Sequence, residues 1–100
     1  MKAIEPGHIY ELDELENTER KQTVSFVSKF NLETNHDGTT NEEVLKMLID
    51  RMKYLQGKFA CRENALATTK LEEALMWMEY RTARRKEQGV EGKNLPHSDK

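Results

Sequence analysis

The strongest constraint on this chain is a helix whose start and stop are both written out, followed by a turn and a second helical run. Thr40 precedes Glu43 by three residues, the spacing of a capping box, and Thr39 with Glu42 repeats it one step earlier. Glu42 and Glu43 also suit the positive end of a helix dipole. Val44, Leu45, Leu48, Ile49, Met52 and Leu55 then recur at helical spacing, and Gly57 stands where a terminator belongs. After the turn "KFACREN", a second helix is expected to start between Cys61 and Asn64 and to run to about Gln88. Its apolar stripe includes Leu71, Ala74, Leu75 and Met78, and Gly89 and Gly92 end it.

The N-terminal third carries a different period. "HIYEL" places Tyr10 and Leu12 on one side, and "QTVSFVSKF" places Val24, Phe26 and Phe30 on one side with Thr23, Ser25, Val27 and Lys29 on the other. β-branched and aromatic residues at period two read as half-buried strands, here an antiparallel pair around the polar loop "DELENTERK". The expected fold class is α+β: an N-terminal β-hairpin or small sheet over about 4–30, then an antiparallel helical hairpin over about 39–89. Residues 1–92 form one domain in this reading, and 93–100 a polar tail. A chain of 100 residues buries a modest core, so an oligomer is the expected working form.

Charged residues make up 34% and the net charge is -2, which argues against binding duplex nucleic acid. A few clustered arginines would still hold a small anion. The single cysteine, Cys61, leaves no internal disulfide, and no signal peptide or membrane span is legible. The cytoplasm is the expected compartment.

Candidate chemistry is sparse. His8, His36 and His97 show no metal-ligand spacing, and Cys61 has no adjacent histidine and reads as structural. No enzyme, metal or cofactor is predicted. "EYRTARRKEQG" carries the clearest signal: Arg81 and Arg85 are four apart on one helix face, with Arg84 beside them and Trp77 one turn earlier. Two guanidinium forks can grip a phosphate or pyrophosphate, or simply form a solvated basic helix end. Tyr54 is either a partly buried amphipathic side chain or a stacking face, and Asn64 either a helix cap or a base-binding amide. Lys29 lies on the polar face of its strand.

Geometry links these groups. Arg81 stands about 25 Å beyond Asn64 along one helix, too far for a small ligand to touch both in one chain. A shared ligand therefore needs the arginines of a neighbouring protomer packed antiparallel, and a two-fold dimer would hold two identical composite sites.

"HDGTTNEEVLKMLIDRMKYLQGKFACREN", followed by "TKLEEALMWMEYRTARRKEQGVEG" and led by "IEPGHIYEL", resembles the phage anti-defence sponge family that counters Thoeris immunity. Its hairpin domain is shared with phage anti-CBASS sponges. The resemblance spans about Ile4 to Gly92, and GTTNEEV and CRENA are its most specific strings. The strand-rich N-terminus favours the Thoeris-type branch. The resemblance implies sequestration without degradation of cyclic signalling nucleotides, glycocyclic ADP-ribose isomers first. It also implies a homodimer, or a hexamer with separate sites for cyclic di- or trinucleotides.

By motif position it implies a base-stacking role for Tyr54, often a phenylalanine in the family, and a base-sandwiching role for Asn64. It implies phosphate contacts for Arg81 and Arg85, and a basic strand residue, often arginine, at Lys29. Thr40, at a helix start, is implied for the second, cyclic-oligonucleotide site. The residues alone also allow the other class, a helical protein that binds or inhibits a host protein.

Overall fold

The computed structural model describes residues 1–28 and 37–87. They fall into two compact units, Met1–Thr40 and a second that starts at Asn41.

The first unit is a three-stranded antiparallel sheet in sequential order: β1 (Lys2–Glu5), β2 (Ile9–Asp13) and β3 (Lys21–Ser25). β2 and β3 answer the two expected runs, and the phase of their alternation holds. Tyr10 is directly opposite Val24, and the Tyr10 ring meets the edge of Phe26 at 5.9 Å. β1 is an addition to the expected pair. "KAIE" has little strand pattern of its own and is held by its pairing with β2, which includes a register shift after Ala3. Pro6 and Gly7 make the turn between them: the His8 N–H donates to the Glu5 carbonyl at 2.9 Å, and Gly7 has φ +80°. Proline followed by a left-handed glycine matches a type II turn.

The second run was expected to continue as strand to Phe30, but β3 ends at Ser25. Beyond it the backbone changes partner. Phe26 N–H donates to the His8 carbonyl, Val27 N–H to Thr39, and Thr39 N–H to Ser25. Phe26 and Thr39 thus form an isolated parallel bridge. Gly38 makes the approach possible. Its φ is +118°, and a Cβ there would stand 2.6 Å from the Phe26 carbonyl carbon. Lys29 and Phe30 lie outside the described residues, as does the 93–100 tail.

The second unit is an antiparallel pair of helices, α1 (Asn41–Lys58, 18 residues) and α2 (Arg62–Glu87, 26 residues). Thr40 is the residue before α1 and Glu43 its third, as the capping-box spacing requires. Gly57 is a correction: it lies inside the last turn of α1, with ordinary negative φ, and does not end the helix. The antiparallel register is fixed at two points. Lys53 pairs with Glu72 at 3.2 Å, and the Thr82 hydroxyl approaches Glu42 at 3.5 Å. Ile49, 8% exposed, is the buried apolar residue of this seam, and Leu45, Met52, Leu71, Ala74, Leu75 and Met78 are half-buried.

Candidate functional site

The tip of the helical hairpin is built by a short relay of hydrogen bonds. α1 ends at Lys58 and α2 begins at Arg62, so only Phe59, Ala60 and Cys61 join them. The Phe59 N–H still donates to the Leu55 carbonyl at 2.8 Å, which closes the last turn of α1. The Cys61 N–H donates to Gln56 Oε1 at 3.1 Å, and the Asn64 N–H donates to Cys61 Sγ at 3.4 Å. Cys61 is therefore the N-cap of α2, with sulfur in the place that serine or aspartate oxygen commonly takes. Asn64, which the spacing allowed as a cap, is the third residue of the helix instead. Its carbonyl accepts the Thr68 hydroxyl at 2.8 Å.

Tyr54 lies just over a turn before this tip and Asn64 within a turn after it, and they face differently. Tyr54 is five positions after Ile49, about 140° around the axis, so it points away from the helix seam. Its ring is 58% exposed, and the Lys58 ammonium, one turn on, stands 5.4 Å above the ring centroid. Asn64 shares its helix side with Leu71 and Met78 and is half-buried. The tyrosine is thus largely exposed beneath the Lys58 ammonium, while Asn64 lies on the seam side of α2.

The arginines lie at the other end. Asn64 and Arg81 are carried by one uninterrupted helix, about 25 Å apart. The register set by Lys53–Glu72 and Thr82–Glu42 places Arg81 level with the first turn of α1 and Arg85 one turn beyond. Arg81 is exposed, whereas Arg85 is only 8% exposed. The two share a helix face by spacing but differ in exposure: Arg81 meets solvent, and Arg85 is buried. Thr40 is exposed at the N-cap of α1, and Lys29 lies outside the described residues.

One surface group adds Tyr80 to two residues that the spacing singles out, Trp77 and Arg84. Trp77, Tyr80 and Arg84 form a ladder on the outer face of α2. The Trp77 and Tyr80 rings meet edge to face at 6.1 Å, and the Arg84 guanidinium stands 5.7 Å from the Tyr80 centroid. Trp77 is 55% and Tyr80 54% exposed. The spacing of Tyr80, three after Trp77 and four before Arg84, was the available signal.

Asp13 is the one described group with a clearly displaced titration. The Lys21 ammonium, hydrogen-bonded to it across the β2–β3 ladder, and then the Met1 amine at 3.2 Å, hold its carboxyl below the usual carboxylate range. Asp13 is exposed. Among the described residues no cluster of His, Cys, Asp and Glu could hold a metal ion, and no helix is long and apolar enough to cross a membrane.

Residues 22–83 match the family described as the Acb2/Tad1 hairpin domain. A protein named Thoeris anti-defense 1, from Bacillus phage SBSphiJ7, is 56% identical to this chain over 57 residues. That alignment takes in 56% of this chain and 40% of the phage protein, so the chain matches less than half of that relative's length.

Proposed function

This chain belongs to the Acb2/Tad1 hairpin-domain family, and on that premise we propose that it is a phage anti-defence protein that sequesters cyclic signalling nucleotides. The ligand class is glycocyclic ADP-ribose, held intact so that a Thoeris effector in the host cytoplasm is never switched on. The protein acts as a stoichiometric binder and not as an enzyme.

One observation carries the architecture of this reading. α2 is continuous from Asn64 to Arg81, so the aromatic and amide at the hairpin tip cannot share a small ligand with the arginines of their own chain. A second copy, packed antiparallel, would bring its Arg81 and Arg85 to the tip of the first. The ring of Tyr54 then stacks on one face of the base, the Asn64 amide sandwiches it from the other, and the arginines hold the pyrophosphate.

The thin core supports the same arrangement. Ile49 is the only deeply buried apolar residue among those described, while Met47, Leu66, Met76, Trp77 and Tyr80 stay exposed on the hairpin. A dimer gives such side chains a place to bury. Lys29 would add a basic contact. Thr40 would serve a separate cyclic di- or trinucleotide site in a hexamer built from the dimers, which would extend the activity to CBASS signals.

The test is to incubate the purified protein with a panel of cyclic nucleotides, remove unbound ligand, and release the rest by heat for mass analysis. Intact glycocyclic ADP-ribose supports sequestration. An altered nucleotide indicates an enzyme, and release of none points to the other class, a protein that docks on a host protein.

A further inference from the structure

We infer that Gln56 is a positioning residue of the proposed nucleotide site, setting the place of Asn64 relative to Tyr54 through the hairpin tip. The inference rests on the reading that Tyr54 and Asn64 bind the base.

Gln56 is two residues after Tyr54 on α1 and half-buried. Its side chain reaches across the three-residue turn to accept the Cys61 N–H. Because that partner is a backbone donor, only the amide oxygen can face it, so the orientation of the amide is determined by chemistry. Cys61 in turn accepts the Asn64 N–H through its sulfur and the Ala65 N–H through its carbonyl at 3.1 Å. The first turn of α2 is thus tied to the last turn of α1 by one side chain.

Other ties at this tip are weak. Gly57 has negative φ, and no positive-φ residue stands in the turn, so no left-handed C-cap locks the chain reversal. Cys61 supplies a weaker acceptor than the usual oxygen caps. The Gln56 bond therefore helps set the angle at which α2 leaves the turn, beside the packed seam, and with it where Asn64 sits. A displacement of this kind costs binding because the amide must lie in van der Waals contact with the base, opposite the Tyr54 ring. Loss of the bond should therefore weaken ligand binding even where both helices remain intact.

The test uses Gln56→Met, which keeps length but removes the acceptor, and Gln56→Glu, which keeps an acceptor oxygen. Affinity for glycocyclic ADP-ribose is measured by calorimetry, and hydrogen exchange of the Cys61 amide by NMR. Gln56→Met should bind about three- to tenfold more weakly, the effect of one net hydrogen bond, with faster exchange at Cys61. Gln56→Glu should stay within about twofold of the parent. In an Asn64→Ala background, Gln56→Met should cost less than about twofold more, since the group it positions is gone.

Parent-like binding by Gln56→Met overturns the inference, as does an equal further loss in the Asn64→Ala background. If Gln56→Met does not fold, Gln56→Glu decides: near-parent affinity supports the inference, and a tenfold loss overturns it. A parent protein that binds no glycocyclic ADP-ribose overturns the underlying functional reading, and the inference with it. A parent that binds while Gln56→Met binds equally well overturns the inference alone.

Discussion

Asn64 and Arg81 stand at opposite ends of α2, about 25 Å apart on a helix with no break between them. This separation makes the proposed site a property of two chains. It yields a test by mixed dimers. A Tyr54→Ala/Asn64→Ala chain and an Arg81→Ala/Arg85→Ala chain should each bind poorly alone. Their heterodimer should recover one intact site, because one pocket collects all four lesions and the other none. Titration of a purified, differentially tagged heterodimer gives the count, and zero sites with the dimer intact would show that the arginines do not act across protomers.

Burial separates Arg81 from Arg85. Arg81→Ala should weaken ligand binding by about 1.5–3 kcal/mol, the scale of a charge-assisted hydrogen bond, and leave thermal stability near that of the parent. Arg85→Ala should lower stability as well, by about 1–3 kcal/mol, because Arg85 is buried and its partners would lose it. Paired calorimetric titration and thermal melts read both effects. Equal stability of the two variants would contradict the assignment of Arg85 as a structural as well as a ligand-facing group.

Tyr54 offers a ring face, and its hydroxyl has no assigned part in the proposed site. Tyr54→Phe should keep most of the affinity for glycocyclic ADP-ribose. Tyr54→Ala should lose about 1–3 kcal/mol, in the range of base–aromatic stacking. Comparable loss in both variants would mean that the hydroxyl, not the ring, makes the contact.

Two glycines in the sheet unit should respond unequally. Gly7→Ala meets open space but must hold φ +80°, a strain of about 1–2 kcal/mol for an L residue. Gly38→Ala carries a similar backbone strain and also drives a Cβ into the backbone of Phe26 and Ser25, so it should cost clearly more. Loss of Thr39 amide protection in Gly38→Ala, with Gly7→Ala retaining it, is the expected hydrogen-exchange result. Equal protection in both would mean that the Phe26–Thr39 bridge tolerates a side chain at 38.

Asp13 gives a pH prediction with a defined sign. Its folded carboxyl titrates below the ordinary 3.8, so its contribution to stability is present above that value and is lost as pH falls through the folded pKa. Carbon NMR of the Asp13 carboxyl should show the low midpoint, and Lys21→Met should move it back toward 3.8. High salt should act in the same direction, since the pair is exposed. A midpoint insensitive to Lys21 would remove that ammonium as the cause.

The local parts of this protein were legible because their signals are local. Thr40 and Glu43 announce the start of α1, and Val44 through Leu55 repeat at the period of the helix they form. Tyr10, Val24 and Phe26 alternate at period two and do share a sheet face. The continuity of α2, on which the proposed composite site depends, also follows from residue pattern alone. β1 was not expected, although Pro6–Gly7 marks the turn that precedes β2. A four-residue strand carries too little pattern to announce itself, and its hydrogen bonds come from the neighbour it finds.

What the chain alone determined, then, is where its helices and core strands lie and how far Asn64 must stand from Arg81. Both follow from backbone periods that each segment satisfies by itself. The tertiary structure decided the rest. It buried Arg85 while leaving Arg81 in solvent, although the two are equivalent by spacing. It turned the Tyr54 ring outward, made Cys61 the cap of α2, and carried the Gln56 amide across the turn. It also kept Gly57 inside α1. Periodicity reports which way a side chain leaves its own element, whereas burial and hydrogen-bond partners depend on what another element sets opposite it.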